Sequence, residues 1–473
     1  MKRLTAVTTR LTAGVLPALA LGACSLAPKY VAPAPPVPAS WPVGDAYLAQ
    51  SEASLPLVSY KEVFRDPRLQ SLVEQALTNN RDLRVAAANI AAARAQVRVT
   101  RANQFPAVTA TTSATDSETG GGFGQNGMNY TLRGGISSFE LDLFGKLANA
   151  TQSQRDTALA TEASARTVRL GLVADLALGW ATYAADRDLL NIAQATAANA
   201  AGSVRLSAAR LKGGVAARTE LRQAEQVLET ANGDVASQKA QLAQDINAIR
   251  LLIGADFDQT LLPAGIDEVN ASLSELPAGT STQVLLRRPD VVQAEYQLRA
   301  ANADIGVARA QLFPSISLSA LIGFASTSLS ALFDGASRTT TLGGDGSWSI
   351  FNAGGLSANV AVTKAQRDAA LATYEKAIQT AFSETADALA DQGTLAERLR
   401  AASAFTAATQ DAAQLTEATY RRGIASSLDN LDAQRTLYSA RRTEIAVRLQ
   451  QATNRVTLYR VLGGDQSTAP AQP

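Results

Sequence analysis

Arg101-Ala102-Asn103-Gln104-Phe105-Pro106 and Arg309-Ala310-Gln311-Leu312-Phe313-Pro314 are the two stretches whose reading decides the fold. Each ends a helical pattern and stands before a segment of a different period. The likeness runs outward on both sides. Arg81-Asp82 and Ala95-Gln96 correspond to Pro289-Asp290 and Ala303-Asp304, a shift of about 208 residues. Downstream, Leu143-Phe144-Gly145 corresponds to Ile350-Phe351-Asn352, and Arg155-Asp156 to Arg367-Asp368. Lys212, Gly214, Val215 and Ala216 pair with Arg421, Gly423, Ile424 and Ala425, and the copies close on Ile253-Gly254 and Leu462-Gly463. A correspondence held at a nearly constant offset over this length is a tandem duplication.

Both copies predict the same elements in the same order. A helix opens at Asp66-Pro67, where Asp caps and Pro suits the first turn. Leu69, Leu72, Val73, Ala76 and Leu77 give it one apolar face, and it runs on through Ala86 to Ala95 until Phe105-Pro106. The period then changes to two. Ile316, Leu318, Ala320, Ile322 and Phe324 share one parity, with Ser315, Ser317 and Ser319 on the other. Thr339 to Phe351 makes the return strand after a loop at Ser328 to Arg338. In the first copy a Thr-rich strand from Val108 to Thr115 and a strand from Tyr130 to Leu143 flank a turn at Gly120 to Gly124. Two hairpins, about four strands, result.

Very long helices follow each hairpin. Leu147 to Leu211 contains no proline and would extend on the order of 100 Å. Leu172, Leu176, Tyr183 and Leu190 keep coiled-coil spacing, and Leu221, Leu228, Val235, Leu242 and Ile249 recur every seventh residue. The second copy repeats this with Leu431, Tyr438, Ile445, Ala452 and Tyr459. Such seams must be buried against other helices, and the stripes are packing rather than ligand sites.

Composition excludes whole classes of function. There is no histidine, so imidazole catalysis and histidine-ligated metal sites are out, and no catalytic, cofactor or metal residues are expected. Lys+Arg 43 against Asp+Glu 42 leaves a net charge of +1, which argues against nucleic acid as a partner. Methionines are only Met1 and Met128, which gives no array for copper. After the first residues no apolar run is long enough for a membrane helix, so a chain that crosses a bilayer must do so as a closed barrel. Four strands cannot close around a pore. Two chains would supply about eight strands and a filled barrel, three about twelve and a lumen, so geometry prefers three.

The N-terminus predicts the compartment. Lys2, Arg3 and Arg10 precede an apolar Leu11 to Leu21, and Leu21-Gly22-Ala23-Cys24 follows, which reads as a secretory signal over 1-23. The tetrapeptide resembles the bacterial lipobox, in which the cysteine becomes the acylated N-terminus. Cys24 is the only cysteine, so a covalent lipid explains it better than redox chemistry. Ser25 in the next position favours, by the same resemblance, sorting to the outer membrane. Expected boundaries are a lipidated, Pro-rich tether over 24-60, repeat 1 over 61-254, a linker over 255-280, repeat 2 over 281-463 and a disordered tail over 464-473.

Lipobox, paired hairpins, paired long helices and the repeated Phe-Pro boundary together resemble the TolC-like outer-membrane efflux protein family. The likeness is closest to the lipoprotein branch serving resistance-nodulation-division pumps, and it covers the chain from Cys24 to Gly463. It implies an α+β membrane protein: a homotrimer with a 12-stranded β-barrel, four strands per chain, continuing into a long periplasmic α-helical barrel. The implied partners are a periplasmic adaptor, an inner-membrane pump and outer-membrane lipid. The implied function is passive export of small molecules, with no enzymatic step and no cofactor beyond the lipid on Cys24. Two alternatives remain, an exit duct for type I protein secretion and a lipid-anchored periplasmic coiled-coil scaffold. The scaffold leaves the two hairpins without a purpose.

The segment from Tyr420 to Arg435 resembles the family's periplasmic helix-turn, where carboxylates line the narrow end of the tube. Asp429 and Asp432 match those positions, and three chains would form a ring of acids favouring cations. Tyr420 matches a tyrosine that helps hold the end shut. Ala425 stands where some members carry an arginine of the closing network, which leaves Arg421, Arg422 or Arg218 as substitutes. Read from the residues alone, Ser426-Ser427-Leu428-Asp429 is also a helix cap, with its acid favourable at the N-terminus. Trp41, Trp180 and Trp348 are scattered, and Trp348 suits an interfacial belt.

Overall fold

The computed structural model describes residues 25–47, 59–117, 127–276 and 282–464. The expected signal peptide, Cys24, the turn at Gly120 to Gly124 and the tail beyond Gly464 lie outside them. The chain divides into two compact units. The first comprises 25–34, Ala88–Ala163 and Gln293–Lys376, and the second Pro35–Ala87, Ser164–Val292 and 377–464.

Helices α1 (Tyr60–Val63), α2 (Pro67–Asn79) and α3 (Arg81–Ala102) lead into strands β1 (Val108–Ser117) and β2 (Gly127–Leu141). Helices α4 (Lys146–Lys212) and α5 (Arg218–Ile253) complete the first repeat. A short helix α6 (Ile266–Ser272) precedes the second, made of α7 (Pro289–Ala310), β3 (Ser315–Ser326), β4 (Arg338–Ser347), α8 (Gly355–Arg421) and α9 (Ser427–Val461). The single helix expected from Asp66 to Phe105 is two. Asn80 ends α2 in an extended conformation (φ −58°, ψ 136°). Its side-chain oxygen then accepts from the amides of Asp82 and Leu83, capping α3, while its amide donates to Leu252 O at 2.8 Å. A polar side chain that satisfies three backbone groups outweighs the continuous helical pattern.

In the first unit the four strands form one antiparallel sheet in the order β1-β2-β3-β4. The register sorts the side chains by face. On one face Ile136 stands between Val108 and Ala320, and Ala320 opposite Leu342. Leu132 stands between Thr112 and Phe324 on the same face, and Leu318 lies beside Phe139. The other face is Thr109, Thr111, Ser113 and Thr115 of β1, with Thr131, Ser317, Ser319, Thr339 and Thr341 from the other strands. Strict alternation along β2 would place Phe139 and Leu141 among these polar groups. An extra residue between Ile136 and Phe139 shifts the register and returns both to the apolar face. Strand β4 ends at Ser347, short of the expected Phe351, and Ala353 and Gly354 (φ 52° and 83°) then turn the chain into α8.

Beneath the sheet, Phe144 stacks on Phe313 with centroids 4.6 Å apart, so the residue that follows the hairpin of the first copy meets the Phe-Pro boundary of the second. Of the segment expected as a tether over 24-60, residues 25–28 are docked on α7 and α4. Asn302 Nδ2 donates to Pro28 O at 2.7 Å and Arg309 Nη1 to Leu26 O at 3.0 Å. Ser25 Oγ donates to Asn149 Oδ1 at 2.8 Å, and Gly306 leaves the space that Ala27 fills.

The second unit has the larger core. Trp180 is fully buried on α4, with its indole N–H donating to Leu261 O at 3.1 Å. Leu69, Leu72 and Val73 of α2 are buried, as are Ile249 and Ile253 of α5, each contributing about 1.5–3 kcal/mol. Phe64 meets Tyr459 edge to face at 5.1 Å, and Trp41 stacks on Phe382 at 5.3 Å.

Candidate functional site

The polar residues singled out from sequence lie in the second unit, where α4 turns into α5 and α8 into α9. Both turns are built alike. Gly214 (φ 73°) and Gly423 (φ 76°) end the long helices in the left-handed region, the conformation glycine adopts without a Cβ penalty. The duplicated turns differ in their caps. At α9, Ser426 Oγ accepts from the Asp429 amide at 3.1 Å while Asp429 Oδ2 accepts from the Ser426 amide at 3.2 Å and its hydroxyl at 2.7 Å. At α5 the equivalent cap is Ala217, whose methyl group makes no hydrogen bond. Glu220, the counterpart of Asp429, is thereby left free for another partner.

That partner is Tyr420. Its hydroxyl donates to Glu220 Oε1 at 2.7 Å, and Ser207 Oγ lies 3.4 Å from the same hydroxyl. The Arg210 guanidinium sits 5.1 Å from the Tyr420 ring centre and 3.7 Å from the Glu220 carboxylate. Tyr420 is 3% exposed. These contacts fasten the end of α8 to both sides of the α4–α5 turn. No sequence pattern near Ala425 marks Arg210 as the arginine of this cluster. Arg421 pairs with Glu417 along its own helix, and Arg218 and Arg422 are exposed without an ion pair among the described residues. The one local signal for the cluster is the unequal cap at Ala217.

Asp432 lies one turn beyond Asp429 on α9, and both are exposed. The Asp432 carboxylate has no hydrogen-bond partner among the described residues, whereas Asp429 is committed to its cap. Further along α9, Tyr438 donates to Asp234 Oδ2 of α5 at 2.8 Å. Burial, then the Asp234 carboxylate, push its phenol up to about 12. A cavity of about 480 Å3 lies there, lined by Thr196, Gln226, Glu229, Arg435 and Tyr438 among others. Among the described residues, no helix is long and apolar enough to cross a membrane, and no cluster of three or more metal-ligating side chains occurs. Trp348 stands just past β4 with its ring exposed and its indole N–H on Leu312 O at 3.1 Å.

A sheet with one apolar and one hydroxyl-rich face, in a chain that also has paired helices of this length, fits a β-barrel channel subunit. The family model for outer membrane efflux proteins matches residues 72–255 and again 280–464, and the chain belongs to that family. The antibiotic efflux pump outer membrane protein ArpC of Pseudomonas putida is 40% identical over 463 residues, 94% of either chain. The toluene efflux pump outer membrane protein TtgC, also of Pseudomonas putida, matches to the same extent. The cation efflux system protein CusC of Escherichia coli O157:H7 is 36% identical over 456 residues, 94% of this chain and 97% of its own. A crystal structure of CusC superposes with a TM-score of 0.83, covering 93% of this chain and all of that one. The fold is thus that of the trimeric outer-membrane channels, with four strands per chain and a long helical barrel. The chain works in the outer membrane, extends into the periplasm and serves efflux through a tripartite system.

Proposed function

We propose that three copies of this chain close their sheets into one twelve-stranded barrel and form a passive duct for small organic molecules. One observation carries this reading. The sheet has two faces of opposite polarity and two open edges, since β1 pairs only with β2 and β4 only with β3 among the described residues. Edge backbone groups left unpaired in lipid cost several kcal/mol each, and only closure with other chains satisfies them. Val108 and Leu342, 77% and 79% exposed on the apolar face, then meet lipid, and the Ser/Thr face lines water. Trp348 takes a place in the interfacial belt.

In this reading residues 1-23 are removed and Cys24 carries the lipid, with no other cofactor and no enzymatic step. Residues 61-254 and 281-463 are the two repeats, joined by 255-280. Hydrogen bonds from Asn302 and Arg309 hold the residues after Cys24 close to the start of β3, where an acyl anchor reaches the bilayer. Asp432, with Asp429 behind it, supplies the acids of the periplasmic constriction, and Tyr420 with Glu220 and Arg210 holds each chain's two turns together. A periplasmic adaptor and an inner-membrane pump deliver the cargo. The relatives at 40% identity are named for antibiotic and toluene efflux, which favours small organic cargo over metal ions.

The protein mass of the detergent-purified particle, measured by light scattering and corrected for bound detergent, tests the closure. Three chains are expected. A stable, folded monomer overturns the channel reading.

A further inference from the structure

Acidic side chains of the second unit mostly have partners. Asp188 accepts from the Ile266 amide at 2.8 Å, and Asp267 and Glu444 pair with Arg448 at 3.2 and 2.6 Å. Asp245 on α5 differs. It is 8% exposed, Gln241 Nε2 donates to Oδ1 at 3.2 Å, and Oδ2 is buried without a donor among the described residues. Within hydrogen-bonding reach of it stands Asp186 of α4, a second carboxyl group. Two carboxylates are both acceptors, so a bond between them needs one to carry a proton. The duplication supplies a comparison. The shift that places Gly214 on Gly423 and Gly254 on Gly463 places Asp186 on Leu395 and Asp245 on Asn454. Those counterparts are buried and neutral, and Asn454 Nδ2 donates to Ala388 O at 2.8 Å.

We propose that Asp186 and Asp245 form a proton-binding site whose single shared proton fastens α4 to α5, so that the helix pair tightens in acid and loosens in alkali. Burial, then the Asp245 carboxylate, push Asp186 up to about 7. The other charged groups nearby are engaged elsewhere. On α4, Arg187 donates to Pro263 O, and Asp188 is held by Ile266. On α6, Asp267 pairs with Arg448 of α9, and Glu268 pairs with Arg68 of α2. On α9, Glu444 also takes Arg448. Of all these charges, Asp245 is the one that acts on Asp186. Because folding raises the affinity of Asp186 for its proton, the stability this adds is full below about 4, the ordinary carboxyl value. It declines as the pH rises and is gone above about 7.

The test uses the full chain in detergent. Infrared spectra should show a protonated-carboxyl stretch that titrates near neutrality and is missing from Asp186→Asn. Hydrogen exchange of peptides around Asp186 and Asp245, corrected for intrinsic rates, should speed up roughly tenfold between about pH 6 and 8. Asp186→Asn should abolish that response, while Asp175→Asn, on the exposed side of α4, should keep it. Asp245→Asn, which installs the residue of the second repeat, should abolish band and response alike, and it decides the matter if Asp186→Asn fails to fold. A wild-type chain without the pH response, or a band and a response that survive in both variants, overturns the proposal.

Discussion

Replacing Tyr420 with Phe removes one hydroxyl and little else. The ring is 3% exposed, and Phe keeps both its packing and the face presented to Arg210 at 5.1 Å. What disappears is the 2.7 Å bond to Glu220, with the longer 3.4 Å contact to Ser207 Oγ. A hydrogen bond to a charged group contributes about 1.5–3 kcal/mol. The Glu220 side chain is 17% exposed, so water can replace part of the loss, and the lower end, about 1.5 kcal/mol per chain, applies. That is close to a factor of ten in the equilibrium between fastened and released turns. Hydrogen exchange of peptides spanning the two turns should accelerate about tenfold in Tyr420→Phe, while peptides around Trp180 stay unchanged. In planar bilayers the variant should open more often at unchanged full conductance. Exchange at the turns indistinguishable from wild type would refute the idea that Tyr420 fastens them.

Converting Asp429 and Asp432 to Ala should lower cation preference in bilayers. Most of the loss should come from Asp432→Ala, because Asp429 is tied to Ser426. Asp429→Ala alone should mainly destabilise the start of α9 by about 1 kcal/mol, read as faster local exchange. Unchanged selectivity in the double variant would return both acids to the role of helix ornament. Cys24→Ser should abolish incorporation of labelled lipid, and persistent labelling would reject the acylation site.

The parts of the fold with a period were legible in the sequence. The helix expected from Leu147 to Leu211 runs from Lys146 to Lys212, and the hairpins fall where the period changes to two. Resemblance to the efflux family supplied the class, and the family match and relatives agree with it. The features that stayed hidden have a common cause, polar residues and register shifts that act on backbone far away in sequence. Asn80 breaks a helix whose apolar pattern continues, because it caps α3 and reaches Leu252. The insertion between Ile136 and Phe139 shows itself only against β3. Arg210 gains its role from Tyr420, more than 200 residues away, and no local spacing marks it. The proline-rich start reads as a spacer until the donors on α7 are known, since the bonds from Asn302 and Arg309 end on backbone carbonyls, which no residue type marks.

That docking bears on the order in which the protein is made. The strap's anchors, Asn302 and Arg309, are 274 and 283 residues further along the chain than the carbonyls they hold. The carbonyls of Leu26 and Pro28 therefore lack these two donors until the second repeat has followed. Closing so long a loop is slow and entropically costly, so the strap is among the last segments to find its place. During that interval the first hairpin has an edge of β2 without β3 and an apolar face without lipid against it. A half-delivered subunit is thus the form in which an unpaired strand edge and exposed apolar surface invite aggregation.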